Sequence, residues 1–126
     1  MNWRRRTWMS LAAMIGFLSV AIGAFAAHGI ADAQAKEWLR IGATYSFIHI
    51  LATFACAVFM QIGALRARFA PAFFLAGSLL FAGSLYAMAL GGPRWLGAVT
   101  PVGGILFLIG WGVLVWAARD VDRPQG

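Results

Sequence analysis

The sequence predicts an all-α membrane protein, a bundle of four transmembrane helices, and three observations carry that prediction. Four apolar runs, at 8–27, 41–62, 72–90 and 99–116, contain no Asp, Glu, Lys or Arg. Each is close to the about 20 residues that a helix needs to cross a hydrocarbon core. Hydrophobic residues make up 62% of the chain and charged residues 11%, with a mean hydropathy of +0.80, which sets it apart from water-soluble domains. The few charges sit at the ends of the runs. The longest connection spans only 28–40, so residues 1–126 read as a single integral-membrane domain.

The first run follows Arg4, Arg5 and Arg6 and ends in Ala24-Phe25-Ala26-Ala27. That ending resembles the cleavage site of a secretory signal, but the apolar stretch exceeds the about 7–15 residues of a signal core and reads as a retained span. After it, Asp32 is placed to cap a short helix over 33–40, in which Lys36, Glu37, Trp38 and Arg40 alternate polar and apolar surface, as an interfacial helix does. Pro71 precedes the third run and Pro101 opens the fourth, where a missing N–H costs nothing. Thr100 is expected to cap the fourth helix. Trp3, Trp8, Trp38, Trp95 and Trp116 lie near span ends, the depth that indole prefers; only Trp111 lies clearly inward.

The net charge of +6 does not point to nucleic acid, because the cations are distributed by membrane side. Arg4, Arg5, Arg6, Arg66, Arg68, Arg119 and Arg123 fall on one side of an alternating path, and Lys36, Arg40 and Arg94 on the other. The positive-inside rule then predicts both termini and the Arg66/Arg68 turn in the cytoplasm and the 28–40 loop outside. Anionic lipid headgroups are a secondary partner of the same arginines. The lone Cys56 allows no internal disulfide, and no Cys or His spacing matches a zinc site. Pumps and proton relays use intramembrane charges that these spans lack, and no serine or cysteine has a recognisable base and acid for hydrolysis. No cofactor and no enzymatic activity are therefore expected.

Small residues recur at helix-packing intervals: Ser19, Gly23 and Ala27; Gly83, Ala87 and Gly91; Gly104 and Gly112. They suit close contact inside one bundle or between copies, so a homo-oligomer stays open. On the second span, Tyr45, Ser46, His49, Thr53 and Cys56 fall within an arc of about 100°. His49 lies about 12 Å below the Ile41 end, and intramembrane ionisable groups normally face a bundle interior. One reading bonds a neutral His49 to Ser78, Ser84 or Tyr86 and so fixes helix register; others make it a ligand contact or a proton carrier. Haem ligation by His28 and His49 meets a depth difference of about two helical turns and lacks a haem-attachment cysteine pair.

Gly23-Ala24-Phe25-Ala26-Ala27-His28-Gly29 resembles the Gly-Ala-Phe-Gly-Ala-His-Gly segment of the domain-of-unknown-function 423 family, small four-span proteins that include the transmembrane protein 256-like proteins. Tyr45 with His49 is similar to its second-span signature, and Phe81-Ala82-Gly83-Ser84-Leu85-Tyr86 to its Phe-Ser-Gly-Ser-Leu-Tyr motif. Thr100-Pro101-Val102-Gly103-Gly104 with Gly110-Trp111 resembles its fourth-span pattern. Ala26 stands in place of a family glycine and Ala82 in place of a family serine. The resemblance implies a bacterial inner-membrane protein and no assigned activity. His28, Tyr45, His49, Ser84, Tyr86 and Thr100 are the candidate binding residues, expected as an outer-leaflet pocket or docking face for another membrane protein. This makes the chain an accessory or scaffold component. The alternative is a protein that binds a small hydrophobic ligand, a quinone, lipid or haem, through His49 and its neighbours.

Overall fold

The computed structural model describes residues 4–123, so Trp3, expected at an interface, lies outside the described residues. Four helices follow in order: α1 (Arg5–Gly29), α2 (Ala33–Gln61), α3 (Ala70–Ala89) and α4 (Thr100–Ala118). Tight 3₁₀ turns at Leu65–Phe69 and Arg94–Ala98 lead into α3 and α4. All four are long and apolar enough to cross a membrane, and among the described residues there is no strand. The expected helix over 33–40 is present but is not a separate element. It runs unbroken into the second span as the first turns of α2, because nothing between Arg40 and Ile41 interrupts helical backbone.

The helix ends follow from local chemistry. The Asp32 carboxylate accepts the Ala35 N–H at 2.8 Å, capping α2 as expected. Gly63 and Gly91 take φ of 104° and 97°, the left-handed region open to glycine. Each closes its helix with paired bonds back to the last turn: Ala64 N–H to Phe59 C=O and Gly63 N–H to Met60 C=O after α2, and Gly92 N–H to Ala87 C=O and Gly91 N–H to Met88 C=O after α3. This is the Schellman arrangement. Pro71 and Pro101 lie in the first turns of α3 and α4. Thr100 does not cap α4; it is the first helical residue, and its hydroxyl is used elsewhere.

Consecutive helices pack against one another, with α2 and α3 in the middle and α1 and α4 at the two outer edges. The apolar core is concentrated toward the end that holds the termini. There Trp8 and Ala12 of α1, Cys56 of α2, Phe74 of α3, and Leu114 and Ala117 of α4 close around Ala64 and Ala67. At this end Arg66 pairs with Asp120 at 3.2 Å and covers the Trp116 ring at 4.5 Å, while Asp122 N–H reaches the Ile62 carbonyl at 3.4 Å. At the opposite end, the loop end, Arg94 lies over Trp38 at 5.7 Å. Phe17, Val20, Leu79, Leu108 and Val115 face outward, as they do when lipid is the surrounding solvent.

The tightest contact is between α3 and α4. A Cβ on Gly103 would lie 2.5 Å from the Phe81 backbone nitrogen and 2.8 Å from the Gly77 carbonyl, and one on Gly110 would lie 2.5 Å from the Phe74 ring. The glycines that make this seam are Gly77, Gly103 and Gly110. Gly83, Gly104 and Gly112, expected at seams, have open space where a Cβ would stand. On α1, Gly23 faces Ala43 as expected, but at an ordinary 3.7 Å, and Ala26 rather than Ala27 is buried.

Candidate functional site

The polar arc of α2 turns inward except at its loop-end margin. Ser46, His49, Thr53 and Cys56 are buried, whereas Tyr45 is 47% exposed. The Thr53 hydroxyl donates to the His49 carbonyl at 2.7 Å and the Cys56 thiol to the Ala52 carbonyl at 3.3 Å. Both are bonds back onto the preceding turn, a way for a helix in lipid to satisfy its own polar side chains.

His49 joins two helices. Its Nδ1–H donates to the Tyr45 carbonyl at 2.6 Å, and its Nε2 accepts the indole N–H of Trp111 at 3.0 Å. A carbonyl only accepts and an indole only donates, so these two bonds assign the proton to Nδ1 and leave Nε2 bare. The imidazole stacks on Phe107 with centroids 3.5 Å apart and planes 7° off parallel, and Phe74 closes a third side at 5.8 Å. The expected partners Ser78, Ser84 and Tyr86 are not the ones that bond it. The fourth helix supplies the partner, and the inward position of Trp111, a single donor in need of an acceptor, is the sequence signal that marks it. With both nitrogens engaged, this arrangement holds α2 to α4 and leaves no ring nitrogen for a metal or haem.

The other candidate residues occupy separate places. Ser84 donates to the Phe81 carbonyl at 3.0 Å and meets the Thr100 hydroxyl at 2.5 Å, a polar link between α3 and α4. Tyr86 lies across α2 with its ring over Gly42, where a Cβ would come within 2.7 Å; that close approach is why Gly42 matters. His28 is exposed in the last turn of α1. The exposed Tyr45 ring lies 5.2 Å from Phe81 and borders a surface recess of about 580 Å³ formed with Glu37, Arg40, Ile41 and Thr44. Arg40 bonds Glu37 at 2.6 Å and also borders a second groove, of about 500 Å³, between α1 and α2.

The loop end of this four-helix arrangement thus carries the segments that resemble the family's motifs, and a direct comparison decides the membership. The model of a family described as a protein of unknown function (DUF423) matches residues 22–104. The chain belongs to that family. A UPF0382 membrane protein of Haemophilus influenzae is 42% identical over 114 residues, covering 85% of this chain and 89% of the relative. The UPF0382 inner membrane protein YgdD of Escherichia coli K12 is 40% identical over 122 residues, covering 94% and 93%. A UPF0382 membrane protein of Staphylococcus epidermidis is 36% identical over 115 residues, covering 89% and 94%. No solved structure matches the chain. This DUF423 member is thus a membrane protein, and the names of these relatives state a membrane and no reaction.

Proposed function

We propose that this protein is a non-enzymatic accessory or scaffold component of the bacterial inner membrane, working as one membrane domain with both termini in the cytoplasm. The inner-membrane assignment draws on the name of the Escherichia coli relative. The orientation draws on the seven cations at the end that holds the termini against three at the loop end. The arginines serve topology and anionic headgroups rather than nucleic acid.

The observation that carries the accessory reading is the division of labour along α2. His49 is consumed inside the fold by Tyr45 and Trp111, so the one intramembrane imidazole fixes helix register. One turn nearer the loop end, the Tyr45 ring, Arg40 and Glu37 stand at an open recess. An aromatic ring beside an ion pair at the depth of the outer headgroups is suited to another membrane protein, with aromatic area supplying affinity and the charges orientation.

Purification of tagged protein from chemically crosslinked membranes tests the reading. A membrane protein should be retained in fixed proportion by the wild type and lost from Tyr45→Ala, with the melting temperature of the variant unchanged. A chain that emerges from crosslinked membranes alone, or retains its partner equally in Tyr45→Ala, would overturn the docking assignment.

A further inference from the structure

Among the described residues, two buried side-chain oxygens lie outside the hydrogen-bond network of the fold, the hydroxyls of Ser78 and Tyr86, both on α3, and of the two only the Tyr86 hydroxyl has a polar side chain, Ser19, set against it. Ser78 is only 2% exposed. Its behaviour contrasts with that of four other small hydroxyls and the thiol of this fold. Ser10, Ser19, Thr53 and Cys56 each bond the carbonyl four residues back, and Ser84 the carbonyl three residues back. Ser78 makes no such bond. A hydroxyl without a partner is costly in a hydrocarbon environment, so Ser78 calls for an oxygen or nitrogen from outside the chain, and the Tyr86 hydroxyl, beside Ser19, has room for a second partner.

Both hydroxyls line one cleft of about 160 Å³ on the face where α1 and α3 stand apart, with Ser46 of α2 at its floor and Ile22, Leu79 and Gly83 among its walls. Leu79 is 65% exposed and Gly83 has nothing within 4 Å of a Cβ position, so the cleft opens to the lipid side. The volume is below the about 300 Å³ of a site that swallows a whole drug-sized ligand. It suits a compact head whose tail stays in the bilayer. Ser78 lies about 12 Å from the Ala70 end of α3 and about 16 Å from the Ala89 end, near the middle of a hydrocarbon core about 30 Å thick. The ester carbonyls of phospholipids sit at the core boundary and do not reach that depth. Tyr86 lies two turns nearer the loop end, and long side chains on a helix lean back toward its N-terminus, bringing its hydroxyl toward Ser78. Two hydroxyl-bearing residues on one apolar cleft match a ring that carries two carbonyls.

We propose that the α1–α3 cleft binds the head of a neutral, hydrophobic-tailed quinone, with Ser78 and Tyr86 donating to its carbonyl oxygens. The site is separate from His49 and from the Tyr45 recess, so it stands or falls independently of the docking role.

The test uses the full chain in phosphatidylcholine nanodiscs prepared without quinone and titrated with a decyl-tailed benzoquinone; empty nanodiscs measure simple partitioning. The expected result is one saturable site per chain. Ser78→Ala and Tyr86→Phe should each weaken it by about three- to tenfold, the effect of one neutral hydrogen bond. Gly83→Leu, which fills the mouth without meeting the fold, should abolish it, while Gly112→Leu, at an equally open glycine of α4, should leave it unchanged. Uptake no greater than in empty nanodiscs, or saturable binding indifferent to Ser78→Ala, Tyr86→Phe and Gly83→Leu alike, would overturn the proposal. The first of these outcomes would assign the two hydroxyls to trapped water. If Gly83→Leu fails to fold, the two hydroxyl deletions decide alone.

Discussion

The two outer helices are attached to the middle pair in different ways. On one side α4 meets α3 through backbone, with Gly103 against the Phe81 nitrogen and Gly110 against the Phe74 ring, and is fastened by Ser84 to Thr100 and by His49 to Trp111. On the other side α1 meets α2 at ordinary distances, 3.6 Å from a Gly16 Cβ position to Ile50 and 3.7 Å from that of Gly23 to Ala43, and stands off from α3 to leave a cleft. Between apolar helices in lipid there is no hydrophobic gain, so association depends on close packing and polar links. The α3–α4 side has both, and the α1 side has neither in comparable measure. A firm seam and a loose one in the same small bundle place the cleft between helices on the α1 side.

The difference can be broken first at Gly103. Gly103→Ala places a methyl against backbone that has no rotamer to yield, and stability should fall by about 3 kcal/mol, the upper part of the overpacking range, measured by unfolding in mixed micelles. A loss below about 1 kcal/mol would mean that the seam is as compliant as the α1 side. Next is His49→Ala, which removes the Phe107 stack, leaves a cavity and orphans the Trp111 N–H; a loss of about 2 kcal/mol is expected, with a shift of tryptophan emission. An unchanged melting temperature would remove the clamp from the account. Smallest is Gly23→Ala on the loose side, where the added methyl meets Ala43 at normal contact and helix propensity improves; the change should stay within about 0.5 kcal/mol. A large loss there would show that α1 is packed as tightly as α4.

Much of this contrast was hidden in the sequence, although the four helices were not. Apolar runs without charges locate spans because the cost of charge in hydrocarbon leaves few exceptions. The α2 arc was legible for the same reason, and Ser46, His49, Thr53 and Cys56 are all inside. What one-dimensional spacing does not contain is which helix faces the arc. Spacing alone offers His49 partners on α3 as one reading among others, whereas α4 carries its partner Trp111. On α4, Gly104 and Gly112 are spaced by eight, but the buried stripe is Gly103, Phe107, Gly110, Leu114 and Ala117, a regular four-three alternation that a whole-helix reading favours over any pair of glycines. The candidate residues share a half of the bundle, and by depth alone they read as one cluster. Depth is readable from residue number, and azimuth around the bundle is not, which is why Tyr45 and Tyr86 came to line different hollows.

The pairing of Arg66 with Asp120, and of the Ile62 carbonyl with the Asp122 amide, ties the turn between the second and third helices to the residues that follow α4. Asp120 and Asp122 are translated after all four apolar segments, so this tie forms only once every span has been made. Until then the turn is held to α4 by the contacts of Arg66 and Phe69 with the Trp116 ring. A transcript truncated just past Ala118 would encode every span and still yield an unlatched bundle. The tie therefore closes the α3–α4 hairpin across its open end, and it is the last contact of that pair to become available.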